Sequence, residues 1–245
     1  SDFSDVTVAR FNPNGTLDLA FGGRGTGQVA TDIGSGTNSA RNVVLQPNGA
    51  IVVSGKPQGS QAGFDHTDVA RYNANGTLDA SFGSGGKLSL AGVDVGQGLA
   101  RQLDGKFVLV GSTTVGTFPA SSTRFALMRL NADGSPDTSF GNAGTVNTAF
   151  TFNATAFAVA LQGDGKIVAA GSTVLEVQPN FVVARYNADG SLDTTFGNGT
   201  GNLSIDFFGF GDGAESVLLQ PDGKIVVGGV ATNQFSGYAV ARINP

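Results

Sequence analysis

A stretch of 17 residues written four times in full and a fifth time in part, an Asx-Gly dipeptide at a fixed place between hydrophobic runs, and a glycine-rich, charge-poor composition predict an all-β chain. The expected architecture is a β-propeller of about four four-stranded antiparallel blades, built from repeats of about 57 residues, with a surplus terminal strand. The fullest copy of the stretch is Phe181-Val-Val-Ala-Arg-Tyr-Asn-Ala-Asp-Gly-Ser-Leu-Asp-Thr-Thr-Phe-Gly197. Its arginine recurs as Arg10, Arg71, Arg129, Arg185 and Arg242, at intervals of 61, 58, 56 and 57 residues. Four copies then keep fixed offsets: Gly15, Gly76, Gly134 and Gly190 five residues later, Asp18, Asp79, Asp137 and Asp193 eight later, Phe21, Phe82, Phe140 and Phe196 eleven later.

Each element follows from local chemistry. Residues 5–11 alternate β-forming side chains and end where Pro13-Asn14-Gly15 supplies a turn, so they form a strand, here called position d. Its counterparts are 68–72, 125–130, 181–186 and 238–243, apolar on both faces and therefore covered on both. After each Phe-Gly corner comes a strand at position a (28–33, 87–90, 145–150, 202–207), then one at position b ending in Gln46, Gln102, Gln162 or Gln220. Asn48-Gly49, Asp104-Gly105, Asp164-Gly165 and Asp222-Gly223 turn the chain into position c. A four-stranded meander with two apolar faces cannot bury both alone, so neighbouring blades must stack. The expected organisation is one domain over 1–245: a d strand at 5–11, then repeats at about 12–72, 73–130, 131–186 and 187–243.

In a meander, alternate loops share an end of the blade. The d-to-a and b-to-c connections are written nearly alike in every repeat, whereas the a-to-b and c-to-d loops differ each time. Repeat-specific variation on one face marks the side that meets partners.

Composition narrows the function. A net charge of −5 provides no electrostatic footprint for a polyanion, which argues against nucleic acid and anionic membrane surfaces. No apolar run approaches the roughly 18 residues that span a bilayer, and no secretory leader is read, so membrane insertion is not expected. A chain opening on Ser1 is expected to be a processed product or an excised piece. With no cysteine, disulfides, zinc-thiolate sites and thiol catalysis are excluded.

The pattern Val-Ala-Arg-Tyr-Asn-x-Asp-Gly-Ser-Leu-Asp-x-x-Phe-Gly, followed by Leu-Gln-Pro-Asp-Gly-Lys-Ile-Val-Val-Gly-Gly, resembles the bacterial delta-60 repeat over essentially the whole chain. That resemblance implies a β-propeller-like domain of secreted or surface-associated bacterial proteins, without an established reaction or catalytic residues.

The recurrent arginines and aspartates are expected to be structural ion pairs, because an arginine in an apolar strand needs a fixed carboxylate. Asn187, Asp189 and Asp193 echo a calcium loop, but the downstream glutamate is missing and turn capping explains them better. His66 is the sole histidine, and no Gly-x-Ser-x-Gly elbow accompanies it, so an exposed loop residue is the simpler reading. Asp32 and Asp206, four residues into strand a of alternate repeats, are the candidates for a calcium site; capping of the a-to-b loops is the competing expectation. The variable face carries Phe64, Phe118, Phe152, Phe208, Phe210 and Phe235, which with His66 form the candidate binding set. The function expected is a non-enzymatic binding or scaffolding module, secreted or at a bacterial cell surface, that takes a protein or carbohydrate on this face and needs no cofactor unless calcium. The alternatives are a calcium-dependent hydrolase of lactonase type and an assembly subunit that self-associates through its terminal strands.

Overall fold

The computed structural model describes residues 5–33, 37–58, 66–91, 94–117, 121–173, 178–233 and 235–245. These residues form strands and turns without a helix. The chain divides into two compact units, Ser1–Gly96 with Asn131–Ser135, and Gln97–Leu130 with Pro136–Pro245.

In the first unit β1 (Val6–Ala9) pairs with β2 (Gln28–Thr31) as a two-stranded antiparallel sheet. A four-stranded sheet follows in the order β3 (Thr37–Leu45), β4 (Ile51–Gln58), β5 (His66–Tyr72), β6 (Lys87–Ala91). Its core gathers Val6, Phe21, Ile51, Val53, Ala70 and Tyr72, and the buried Tyr72 hydroxyl donates to Thr31 Oγ1 at 2.8 Å.

The second unit contains two further four-stranded sheets. One is β7 (Asp94–Arg101), β8 (Phe107–Val115), β9 (Ser122–Leu130) and β10 (Thr145–Thr148). The other is β11 (Ala154–Leu161), β12 (Ile167–Thr173), β13 (Phe181–Tyr186) and β14 (Asn202–Ile205). The last sheet has three strands, β15 (Gly213–Leu219), β16 (Ile225–Asn233) and β17 (Phe235–Ile243). Every residue of β13 is buried, as the apolar character of both its faces requires.

The expected strand order b, c, d, a is present in each four-stranded sheet. The surplus d strand has a specific place: β1 holds the first a strand, β2, and the last sheet ends at its d strand, β17. Thus three blades have four strands, and the first and last sheets are partial. Several d strands start before the apolar stretch that reveals them. β9 begins at Ser122 because pairing with β8 continues beyond the core, through Thr113↔Arg124 to Val115↔Ser122.

Strand b carries an irregularity in register between Ala40 and Asn42, Ala156 and Ala158, and Ala214 and Ser216. Opposite it stands the glycine of strand c: a β-carbon at Gly55, Gly171 or Gly229 would collide with the carbonyl oxygen of Ser39, Thr155 or Gly213. The glycine recurs because the bulged strand passes too close for any side chain.

Candidate functional site

The d-to-a turn closes on itself before it reaches anything else. The aspartate amide donates to the carbonyl of the arginine eight residues earlier, at 2.9 Å in all four copies. This brings the carboxylate to its own guanidinium. Nε lies 2.8 Å from Oδ2 in Arg10–Asp18 and Arg71–Asp79, and 2.7 Å in Arg129–Asp137 and Arg185–Asp193. The phenylalanine amide then donates to the aspartate carbonyl at 3.0 Å, which places the ring beneath the guanidinium carbon at 4.5–4.8 Å. Each of these four arginines is therefore gripped by the carboxylate and the aromatic face of the turn that follows it in the chain.

The same groups stitch one repeat to the next. Arg10, Arg71 and Arg129 donate through Nη1 to the carbonyls of Ala74, Ala132 and Ala188, each three residues beyond the following arginine. Gly22, Gly83 and Gly141 donate to the carbonyls of Asn75, Asp133 and Asp189 at 2.8–2.9 Å. The Phe82 and Phe140 rings fill the space left by Gly134 and Gly190, where a methyl group would lie 2.9 Å from each ring's Cε2. These two glycines also have φ of +90° and +91°, so glycine is required twice over.

Lysine adds a partner that sequence reasoning missed. Lys106 Nζ lies 2.8 Å from Asp137 Oδ2, and Lys166 Nζ 2.9 Å from Asp193 Oδ2. The signal was available: a lysine follows Asp-Gly at 106, 166 and 224, while Ala50 stands there in the first repeat. Lys106, Ser139 and Arg129 hold the Asp137 carboxyl far below the usual carboxylate range, against the opposing effect of burial. Thr195, Lys166 and Arg185 do the same for Asp193. Among the described residues Arg242 pairs with no carboxylate, and Lys224 turns to Asp222 beside it. With its donors and acceptors spent on neighbours, this end of the blades has little left for a ligand.

The other loops are braced differently. In the 206–212 loop, Asp206 Oδ1 accepts the Gly209 amide at 2.6 Å, capping the turn. The buried Asp212 accepts the Phe207 amide at 2.9 Å and the Thr232 amide at 3.2 Å, joining the loop to β16. Asn153 Oδ1 accepts the Thr123 amide at 2.7 Å in the same manner. On this frame the aromatic residues divide. Phe150 packs edge-on against Phe125 at 4.6 Å and Phe207 against Phe181 at 5.0 Å. Phe152 (54% exposed), Phe208 (55%), Phe210 (47%) and Phe235 (80%) face solvent. Phe64 and Phe118 lie outside the described residues.

His66, at the start of β5, is half-buried, with Nε2 3.6 Å from the Asp68 carboxylate. Burial pushes the Asp68 carboxyl up, opposed by Ser89 and His66. The Asp32 carbonyl accepts Lys87 Nζ at 2.7 Å, beside a cleft of about 850 Å³ in the first unit that Asp32 and Lys87 line. Among the described residues no three His, Asp or Glu side chains converge as a metal site would require.

A smaller cleft, about 370 Å³, runs along β14 from Thr200 in the Phe-Gly corner to the a-to-b and c-to-d loops. Thr151 and Phe152 of the a-to-b loop form one side; Thr173 and Asn180, from the two ends of the c-to-d loop, form another. Asn180 is pinned by its backbone: its amide donates to Thr173 Oγ1 at 2.8 Å and its carbonyl accepts the Thr173 amide at 3.1 Å.

Successive antiparallel meanders stitched by a repeated turn define the β-propeller class. The chain belongs to the family described as "Domain of unknown function (DUF5122) beta-propeller", which matches residues 1–21, 46–82, 102–140, 162–196 and 220–245, more than half of its length. None of the curated proteins matches the sequence. Among solved structures, a protein of unknown function from Dyadobacter fermentans is similar at 11% identity and a TM-score of 0.49, over 84% of this chain and 65% of that one. A Bombyx mori beta-fructofuranosidase mutant in complex with sucrose is similar at 14% identity and a TM-score of 0.42, over 83% of this chain and 46% of that one. The chain thus spans less than two thirds of the length of either structure.

Proposed function

We propose that the chain is a non-enzymatic binding or scaffolding module of a secreted or surface-associated bacterial protein, as its resemblance to delta-60 repeats implies. Its partner, a protein or a carbohydrate, docks on the a-to-b and c-to-d loops. The observation that carries this reading is the contrast between the two blade ends. At one, arginine, aspartate, phenylalanine and glycine are consumed in holding repeats together. At the other, Phe152, Phe208 and Phe210 stand exposed on loops braced by Asp212 and Asn153, and Phe235 stands exposed at the start of β17. Aromatic anchors on a rigid frame are what a recognition surface needs, since a few such rings carry most of the binding energy.

The test compares wild type with a Phe208→Ser, Phe210→Ser double variant for retention of proteins and glycans from bacterial envelope fractions. Lost retention with an unchanged melting temperature supports the reading. Equal retention refutes it, as does a loss of stability as large as that of Phe140→Ala, which would make these rings core.

One observation favours a second reading, assembly through the last strand. Among the described residues β17 pairs only with β16 and Arg242 meets no carboxylate, unlike the other four copies, and Tyr238 on β17 is fully exposed. An open edge of this kind accepts a strand from another chain. Light scattering across a concentration series tests it: a dimer that Val240→Lys dissociates supports assembly, and a monomer at every concentration refutes it.

A further inference from the structure

We infer that the cleft along β14 binds one ring of a neutral sugar, an inference that rests on the binding-module reading and specifies its ligand. Among the described residues no charged side chain lines the cleft, so an ionic ligand would be desolvated there without a counter-charge from them. Thr151, Thr173, Asn180, Thr200, Asn202 and Ser204 supply hydroxyl and amide groups to its wall. The Asn180 side-chain oxygen is buried without a hydrogen-bond partner and requires a donor, which a purely apolar ligand would withhold. Phe150 and Phe152 add apolar surface, and Phe152 stands exposed at the rim. A ligand with many neutral hydroxyls and one apolar face meets all of these conditions, and a sugar ring is such a ligand. The volume, about 370 Å³, lies at the small end of ligand sites and suits a single ring.

The set of side chains occurs once in the chain. Five residues before the repeat arginine, where Asn180 stands, the other copies have Asp5, His66, Arg124 and Gly237. Seven residues after the start of strand a, where Phe152 stands, they have Ser35, Asp94 and Gly209. No other copy pairs an amide side chain with a phenyl ring at these two positions.

The inference is tested by amide chemical-shift titration of the whole chain with methyl β-glucopyranoside, methyl β-galactopyranoside and methyl α-mannopyranoside, and with N-acetylneuraminic acid as the charged control. At least one neutral sugar should shift the Thr173, Asn180, Asn202 and Ser204 amides saturably, in the millimolar range expected of so small a ligand. Asn180→Ala and Phe152→Ala should each weaken binding by about tenfold or more. The Phe208→Ser, Phe210→Ser variant, altered outside the cleft lining, should bind as wild type does. No saturable shift with any neutral sugar, shifts that survive both cleft substitutions, or an equal response to the acidic sugar would each overturn the inference. If the sugars fail while the double variant still loses partner retention, the sugar site is wrong and the binding-face reading stands.

Discussion

Replacing Asp137 with alanine should be among the most damaging single changes in the second unit. Its carboxylate holds Arg129 at 2.7 Å and Lys106 at 2.8 Å, and it accepts the Ser139 hydroxyl at 2.7 Å, the same hydroxyl that receives Arg129 Nη2. Arg129 and Asp137 side chains are only 8% and 7% exposed, so water cannot replace the lost partner. Stranding a buried guanidinium in this way costs about 3–5 kcal/mol. For a unit of this size that is a fall of roughly 6–20 °C in melting temperature. The same substitution at Asp18 should cost much less, about 0–1 kcal/mol, because Arg10 and Asp18 are 37% and 23% exposed. Glu215→Ala, at an exposed position, should stay within about 0.5 kcal/mol of wild type. Urea and thermal unfolding, followed by circular dichroism and by tyrosine fluorescence, measure all three. Equal stabilities for the Asp137 and Glu215 variants would refute the argument that the pair is structural.

Three further outcomes are expected. Because the folded Asp137 and Asp193 carboxyls lie far below the unfolded value of about 3.9, their stabilisation is complete above that value and is lost as the pH falls below it. Urea midpoints between pH 6 and pH 2 should therefore drop more steeply for wild type than for the Asp137→Asn, Asp193→Asn variant. Asp68 has the opposite sign: burial raises its folded value, so its charge opposes folding at neutral pH, and Asp68→Asn should raise the urea midpoint at pH 7 and lose that advantage in acid. Gly190→Ala must strain φ at +91° and push against Phe140 and Val146, whereas Gly15→Ala, at φ +83°, meets nothing within 4 Å. Thermal melts should show a cost of about 2–4 kcal/mol for the first and about 1–2 kcal/mol for the second.

The strand plan was legible because the repeat exposes it: five arginine strands and four Asx-Gly turns fix order and register together. The ion pairs were legible in kind, since an offset of eight never varies, but the choice of Asp137 by Arg129 was not. That choice follows from the turn hydrogen bond from the Asp137 amide to the Arg129 carbonyl, a contact that spacing alone does not reveal. Phe140 could be read as packing between repeats, yet its second role beneath Arg129 depends on a ring position that only the folded turn defines. The bulge opposite Gly171 was hidden for a similar reason: the sequence shows the glycine but not the Thr155 carbonyl that makes it necessary. Least legible were the loops. Phe207 and Phe208 are neighbours in sequence, but one packs on Phe181 and the other faces water, because Asp212 fixes the loop backbone between alternatives that hydrophobicity cannot rank. The cleft beside Asn180 brings together residues from four separate stretches, and the neutrality of its described lining emerges only when they are assembled.

The central claim is a division of labour between the two ends of the blades, and an alanine scan of melting temperature tests it most directly. One set is Arg129, Asp137, Phe140, Arg185, Asp193 and Phe196; the other is Thr151, Phe152, Phe208, Phe210 and Phe235. The account predicts losses of about 2–5 kcal/mol throughout the first set and changes within about 0.5 kcal/mol throughout the second. Loop aromatics that cost as much as Phe140, or arginines and aspartates removed without effect, would contradict it.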